Sequence, residues 1–425
     1  MFKTLVINKL STGIVNRKPF NYRGILKFWV LSTANNNKNI LIKRKKEKIM
    51  KLTIKKDLLL EGLNKVSRAI SSKNLIPVLA GIKFDLKKDK LILTASDNDI
   101  TIETVVEAKD KDDFKVEEEG SIIIQGKYIL EIVRKIPDKY INIDVVDDLK
   151  IIIYTDNSEY DLNGISENEY PTINLEESKK KIEINSKVFR DTINQTAFAT
   201  SNEETKPILT GINFKVTGNV LECNSTDSYR LARKVITLDK ASTENYNIVI
   251  PSHNVLEFTR IMDEDNDAIV EMHIFNSKVL FKYKNVLFQS RLISGTYPNT
   301  SNLLPDSSYM VITASINDLY NVIDRASILT SDKDKNTVTL ETQGNTLIIR
   351  SSSLEIGRVE EKMNITKSVE DDIKISFSAR YMMEALKAFS TDTVEINYVG
   401  EIKPIILKSP DDDTLTQLVL PIRTY

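Results

Sequence analysis

The sequence predicts an α+β protein of three tandem modules, each carrying two helices on one face of antiparallel sheets. Similar segments recur at near-constant spacing, each reads as strand, polar break and amphipathic helix, and strands outnumber helices about three to one. Helices gathered on one face of antiparallel sheets satisfy such a pattern, because each element buries its apolar side against the other.

The first halves of the modules align directly. Lys51 opens K-L-T-I-K-K-D-L-L-L-E-G-L-N-K-V-S-R-A-I, Ile182 opens I-E-I-N-S-K-V-F-R-D-T-I-N-Q-T-A-F-A, and Met310 opens M-V-I-T-A-S-I-N-D-L-Y-N-V-I-D-R-A-S. Next, I-P-V-L-A-G-I-K-F at 76–84 matches K-P-I-L-T-G-I-N-F at 206–214, setting Gly81 and Gly211 130 residues apart. Asp97 and Asp227, at the ends of the following strands, keep the same 130-residue spacing. The second halves start at Ser121, Asn247 and Ile373, with Ile124, Ile250 and Ser376 in steps of 126. Each module is thus a strand-helix-strands unit written twice, and the boundaries fall at 50–175, 176–303 and 304–425.

Helix phase separates buried from exposed faces. After Gly126, Ile129, Ile132, Val133 and Ile136 share one face and Lys127, Glu131, Arg134 and Lys135 the other. After Asp57, Leu59, Leu63, Val66 and Ile70 form the apolar stripe, with Lys65 and Arg68 outside it. The device recurs with Arg190, Arg260, Arg325, Arg380 and Lys387 on the other four helices. Polar turns such as Asp147-Asp148, Thr217-Gly218-Asn219 and Gln343-Gly344-Asn345 punctuate the strands.

Composition narrows the function classes. A length of 425 residues with 41% hydrophobic and 28% charged side chains describes a soluble protein of several domains. The longest apolar runs fall far short of the roughly 20 residues that span a bilayer. One cysteine, Cys223, excludes an intrachain disulfide and a cysteine-cluster zinc site, so the chain reads as intracellular and cytoplasmic. Two histidines, His253 and His273, leave little room for metal or acid-base chemistry, and no phosphate-cradling or nucleophile motif is present. The Asp411-Asp412-Asp413 run reads as a solvated turn. No cofactor, metal or catalytic residue is expected.

The net charge of -1 conceals two different parts. Residues 1–49 hold 12 Lys/Arg and one acid, Glu47, so the remainder carries 47 of the 59 basic and 59 of the 60 acidic side chains. Residues 1–49 show no sustained period and contain the run Lys43-Arg44-Lys45-Lys46. They read as disordered or adventitious, with Met50 as the natural start; a basic transit segment is the competing reading.

Six helices with basic residues on a chain that is otherwise acidic pose an electrostatic question. These residues are either ordinary solubilising charge or the lining of a hole closed with a second copy. A hole so lined would hold a duplex by phosphate contacts without reading bases. The stretch N-S-T-D-S-Y-R-L-A at 224–232 raises a second question. A strand running into an exposed corner explains its Ser/Thr/Asp cluster, but module one, reading A-S-D-N-D-I-T-I, keeps only the Asp. Tyr229, Arg230 and Leu231 depart from the repeat and mark a candidate partner surface.

From residue 50 to 425 the chain resembles the bacterial DNA polymerase III beta subunits, the sliding clamps. The resemblance covers all three repeats, T-D-S-Y-R-L-A in place of the family's T-D-G-H-R-L-A, and the ending Q-L-V-L-P-I-R-T-Y. It implies three DNA clamp folds per chain, antiparallel sheets outside and two helices per repeat lining a ring. It further implies a non-catalytic, head-to-tail homodimer that encircles double-stranded DNA without sequence specificity. Such a ring tethers the DNA polymerase III catalytic subunit and engages a clamp loader complex.

The resemblance also implies a pocket for partner peptides between modules two and three. Carried over by position, it comprises Leu209, Thr226, Ser228, Tyr229, Arg230 and Leu231; Pro298, Asn302 and Leu303; and Ile402, Pro404, Leu418, Leu420 and Ile422. Aliphatic residues drawn from separate segments suit an anchor pocket for Leu or Phe, although Leu209 and Leu418 fit core packing equally well. Asn302 stands where the family often has Arg, and Ser228 lacks glycine's backbone freedom. For DNA, the resemblance implies Lys73 and Lys206; Lys65, Arg68, Lys127, Arg134, Arg190, Arg260, Arg325 and Arg380 follow from helix phase. Pro207 and Ile208, at family positions that are often aromatic, give no stacking contact. A repeat scaffold that binds proteins but not DNA is the alternative from another class, and an enzyme with an unrecognised site is a second.

Overall fold

The helical periodicities resolve into six α-helices among the described residues: α1 (Lys56–Val66), α2 (Gly126–Lys135), α3 (Ser186–Thr196), α4 (Ser252–Thr259), α5 (Ile316–Ser327) and α6 (Ala379–Lys387). The computed structural model describes residues 50–423 except 72–75, 109, 111–112, 147–148, 306 and 354. The readings made for residues 1–49, for Lys73 and for the Asp147-Asp148 turn therefore lie outside the described residues.

The helices pack in pairs, α1 on α2, α3 on α4 and α5 on α6. In α5 the buried stripe is Ile316, Leu319, Val322, Ile323 and Ala326, a spacing of three and four that keeps one face inward. Ser315 caps α5 by accepting the Asp318 N–H at 3.3 Å, and Asn185 caps α3 by accepting from Lys187 and Val188. The helix α1 ends sooner than its apolar stripe suggests. Ser67–Ala69 tighten into a 3-10 turn, and Ile70 is extended while still packing on the core. Arg68 thus sits on that turn rather than on the face of α1.

Gly81 and Gly211, the spacing landmarks, share a steric reason. A Cβ at Gly211 would lie 2.6 Å from Val249 Cγ1 and 2.7 Å from the Ile250 carbonyl oxygen, and one at Gly81 would lie 2.4 Å from Ile123 Cγ2. Both glycines begin strands laid tightly against the second-half strand of their module.

The strands form four sheets among the described residues. Module one contributes a five-stranded sheet ending in strand Glu159–Asn163, and module three a four-stranded sheet ending in strand Gly357–Asn364. The other two sheets cross module boundaries. Strand Val286–Arg291 of module two pairs antiparallel with Ile100–Glu107 of module one, Val286 opposite Thr104 and Ser290 opposite Ile100. Strand Asp412–Val419 of module three pairs in the same manner with Arg230–Thr237 of module two, Val419 opposite Arg230 and Leu415 opposite Lys234. Each junction therefore joins the last strand of one module to the equivalent inner strand of the module before it. A single buried apolar cluster runs through modules one and two, and module three has its own. In module two, Phe258 stacks on Phe281 with centroids 4.8 Å apart, and Phe189 meets both edge-on.

Candidate functional site

Strands Val220–Thr226 and Arg230–Thr237 meet at a turn made by Asp227, Ser228 and Tyr229, with Thr226 opposite Leu231. The Asp227 carboxylate accepts the N–H groups of Tyr229 and Arg230 at 2.9 and 3.1 Å. Asp97 accepts those of Asp99 and Ile100 in the same way, so the aspartate shared by the modules is turn chemistry. The turn demands a left-handed residue: Ser228 has φ 80° and Asn98 in module one φ 78°. Asparagine tolerates that conformation, whereas serine carries a strain on the order of 1 kcal/mol. The outcome of the turn is Tyr229, which stands 57% exposed.

Arg230, its neighbour in sequence, points the other way. Only 9% exposed, it donates from Nε to Asp227 at 3.0 Å, from Nη2 to the Phe198 carbonyl at 2.7 Å, and from Nη1 to the Glu384 carboxylate. Its guanidinium lies over the rings of Tyr381 at 4.5 Å and Phe198 at 5.3 Å. Expected in the pocket wall, Arg230 is instead an internal tie between modules two and three, since Tyr381 and Glu384 belong to α6. A planar, permanently charged group with five donors suits that position, which no lysine could satisfy.

Two small apolar clusters flank Thr226, outside the module cores. One groups buried Leu209, Val249 and Tyr297, with Ile208 and Ile293 against them. The other groups Leu231, Ile406 and Leu418, with half-buried Leu304 and Leu420. The Tyr297 hydroxyl accepts the Thr226 N–H at 3.0 Å, so the 297–305 connection is pinned between the clusters; burial pushes that phenol up. Leu209, Leu231 and Leu418 are thus packing residues whose outer partners are more open. Pro298, Asn302 and Leu303 are exposed, Leu303 at 44% on the 3-10 turn Ser301–Leu303. Ile402 is 65% exposed and Pro404 half-buried, on the turn before strand Ile405–Ser409.

A cleft of about 690 Å³ opens beside Tyr229. Its walls are Tyr229, Leu420, Pro421, Ile422 and Arg423 on one side and Lys335, Asn336, Ser378, Arg380 and Tyr381 on the other. The terminal segment is held there by the Leu420 N–H to the Tyr229 carbonyl at 2.9 Å and the Ile422 N–H to the Ser376 carbonyl at 2.7 Å. Of the residues singled out from sequence, Tyr229, Leu420 and Ile422 line this cleft. Arg380, assigned from helix phase to a DNA face, lines it too, its guanidinium 5.2 Å from the Tyr381 ring. Tyr381 escaped the sequence reading, although an aromatic one residue after that arginine at the start of α6 was a signal that could have found it.

The basic residues of the helices are mostly engaged with carboxylates. Lys65 pairs with Glu61 at 2.8 Å, Arg134 with Glu131 at 2.6 Å and Arg325 with Glu361 at 2.7 Å. Glu257 of α4 bridges Arg68 of module one, at 2.8 Å, and Arg260. Arg190 donates to the Asp263 carbonyl at 2.6 Å. Lys127 and Lys206 are exposed and have no ion pair among the described residues. Away from the cleft lining, Glu177, Glu271 and His273 bring three potential metal-ligating atoms within 4.8 Å of one another.

Comparison with known proteins matches this architecture throughout. Family models for the N-terminal, central and C-terminal domains of the DNA polymerase III beta subunit match residues 50–174, 183–299 and 301–423. The beta sliding clamp of Bacillus subtilis is 39% identical over 379 residues, 88% of this chain and all of that protein, and that of Staphylococcus aureus is 38% identical over 379 residues, covering 89% and 100%. Among solved structures, the Bacillus subtilis clamp, 38% identical, superposes with a TM-score of 0.85, and the Streptococcus pneumoniae beta chain, 32% identical, with 0.83; each covers 88% of this chain and all of the other. Three modules in order, a shared interior strand-pairing scheme and these matches make the chain a member of the DNA polymerase III beta subunit family, the bacterial beta sliding clamps.

Proposed function

We propose that two copies of this chain close head to tail into a six-module ring that encircles duplex DNA and serves as a polymerase processivity factor. The observation that carries this reading is the unspent pairing surface at each end. Two junctions inside the chain pair a module's last strand with the inner strand of the module before it. Glu159–Asn163 is the equivalent last strand in module one, and Gly357–Asn364 the equivalent inner strand in module three. Both stand at sheet edges. Edge strands template further pairing, and a head-to-tail contact between identical chains forms a ring when the rotation closes.

Applying the interior register to these edges sets Asp161 opposite Arg358 and Tyr160 opposite Val359. Tyr160 and Val359 are both only partly covered within one chain, each packed at the margin of its module's core. The clamp holds DNA through the helix faces. Lys127 and Lys206 supply open cations, and Lys65, Arg68, Arg134, Arg190, Arg260 and Arg325 can exchange their protein oxygens for phosphate oxygens.

Partners dock at the cleft beside Tyr229 and along the two flanking apolar clusters. Tyr229, Leu420, Ile422, Leu303 and Ile402 offer contact area, and Thr226, Ser228, Arg230, Leu209, Leu231, Leu418, Pro298, Asn302 and Pro404 frame it. Arg380 belongs with this surface rather than the DNA face. The partners are the DNA polymerase III catalytic subunit and the clamp loader complex, in the cytoplasm, and the chain itself is non-catalytic. No helix among the described residues is long and apolar enough to cross a membrane. The module limits 50–175, 176–303 and 304–425 are supported by the strand exchange at each junction.

Retention on nicked circular DNA tests the reading. Protein loaded onto the circle stays through gel filtration and is released once the circle is cut. Release at equal rates from circular and linear DNA would leave only a protein-binding scaffold.

A further inference from the structure

His273 is 1% exposed in the interior of strand Ile269–Ile274, and its ring is oriented from one side only. Nδ1 lies 3.0 Å from the carbonyl oxygen of Ser178. A carbonyl only accepts, so Nδ1 carries the proton, and in the neutral ring Nε2 presents a lone pair. That buried Nε2 has no hydrogen-bond partner. Its nearest acid atom, Glu271 Oε2, stands 3.5 Å away, beyond the range of a good hydrogen bond. The separation is instead near the roughly 3.4 Å between two ligands of a tetrahedral ion with bonds of about 2.0–2.1 Å.

The carboxylates are arranged to match. Glu271 gives Oε1 to Lys181 at 2.6 Å, which leaves Oε2 turned to the imidazole. Glu177 approaches from the connector between modules one and two and accepts both contacts of Lys282, at 2.8 and 3.0 Å. All three candidate ligand atoms lie within 4.8 Å of one another. An imidazole whose other nitrogen is fixed by a backbone carbonyl is the usual setting of a metal-bound histidine.

We propose that Glu177, Glu271 and His273 form a divalent-metal site that fastens the connector between the first two modules to the sheet of the second. One imidazole and two carboxylates select a first-row ion such as Zn²⁺ over Mg²⁺ or Ca²⁺, which favour all-oxygen shells. Three protein ligands leave a fourth position to water. The site is structural in effect: bridging Glu177 to strand Ile269–Ile274 ties the segment ahead of strand Ile182–Asn185 to the sheet of module two through one ion.

Calorimetric titration of the full chain with Zn²⁺ in chelator-free buffer tests this. The expected result is one ion per chain at micromolar affinity, weakened at least tenfold by Glu177→Gln and lost in His273→Gln. Thermal unfolding adds a second readout: at one Zn²⁺ concentration, the rise in Tm is clearly smaller for Glu177→Gln than for the unsubstituted protein. Glu177 is a surface residue, so that variant folds even where the buried His273→Gln does not. His253→Gln, altering the other, exposed histidine, retains binding. Equal affinity in the unsubstituted protein and Glu177→Gln, loss with His253→Gln, or no saturable binding below about 100 µM overturns the proposal.

Discussion

Replacing Arg358 with glutamate tests ring closure at one side chain. Arg358 is exposed on strand Gly357–Asn364 and makes no ion pair among the described residues, so the change costs the isolated chain little. In the proposed ring it faces Asp161 of the neighbouring copy. The substitution removes an attraction worth about 0.2–1 kcal/mol and sets two carboxylates opposite each other at a similar penalty, together about 0.4–2 kcal/mol per interface. A two-chain ring has two such interfaces, so dimerisation weakens by about 0.8–4 kcal/mol, roughly 4- to 1000-fold in Kd. Sedimentation velocity from nanomolar to micromolar concentration reads this directly. Adding Asp161→Arg to the same chain restores the opposite-charge pair and brings Kd back to within a few-fold. Asp161 also pairs with Lys150 at 2.9 Å inside its own sheet, so Asp161→Arg alone lowers Tm slightly, an effect Arg358→Glu cannot repair. A Kd for Arg358→Glu within threefold of the unsubstituted protein, or a double variant no tighter than the single, refutes the register.

Arg230→Ala removes the tie between modules two and three and is expected to cost on the order of 3 kcal/mol in chemical denaturation, with Arg230→Lys recovering little of it. Ser228→Asn relieves the left-handed strain and raises stability by about 0.5–1 kcal/mol, measured in the same way. Replacing Lys127 and Lys206 together with alanine lowers the slope of log binding constant against log salt by about 1.8, or 0.9 per phosphate contact, and an unchanged slope excludes both from the DNA surface. Burial acts to raise the Asp263 carboxyl, but hydrogen bonds from Lys284 and Tyr283 prevail and hold it at about 2. A depressed carboxylate adds stability above its unfolded value and loses it as pH falls toward the folded one. Asp263→Asn therefore flattens the decline in Tm between about pH 4 and pH 2, modestly, because the side chain is more than half exposed and screened by solvent.

The repeats made the fold legible because each module buries its own apolar stripes, and those stripes are local patterns. Gly81 and Gly211 carried information for the same reason: a close backbone approach leaves a residue type behind in the sequence. What escaped depended on partners far along the chain. Arg68 looked like an open cation until the 3-10 turn at Ser67–Ala69 aimed it at Glu257, 189 positions away. Arg230 looked like a surface departure from the repeat, yet its guanidinium meets Glu384, 154 positions on. His273 counted as one of two scarce histidines and so argued against metal chemistry, whereas Glu177 reaches it only because the connector folds back over the sheet. The turn at 226–231 was half legible. Its aspartate was readable as turn chemistry, but neighbouring Tyr229 and Arg230 alternate across a strand, and the side facing the α6 interior was invisible without module three.

The ion pairs on the helices bear on how a ring can hold DNA and still move. Bare cations would bind phosphates strongly, and each step along the duplex would break several such contacts. A guanidinium already paired with Glu131 or Glu361 gains from a phosphate only the difference between two similar oxygen anions. That difference is small, so exchange along the backbone is shallow in energy. Retention then has to come from closure, which places the burden on the Glu159–Asn163 and Gly357–Asn364 edges. A clamp with neutralised helix faces and a weakened edge would fall off circular DNA, whereas one with strengthened cations and an intact edge would stay but slide more slowly. Strand pairing and helix charge thus perform separable tasks within each module.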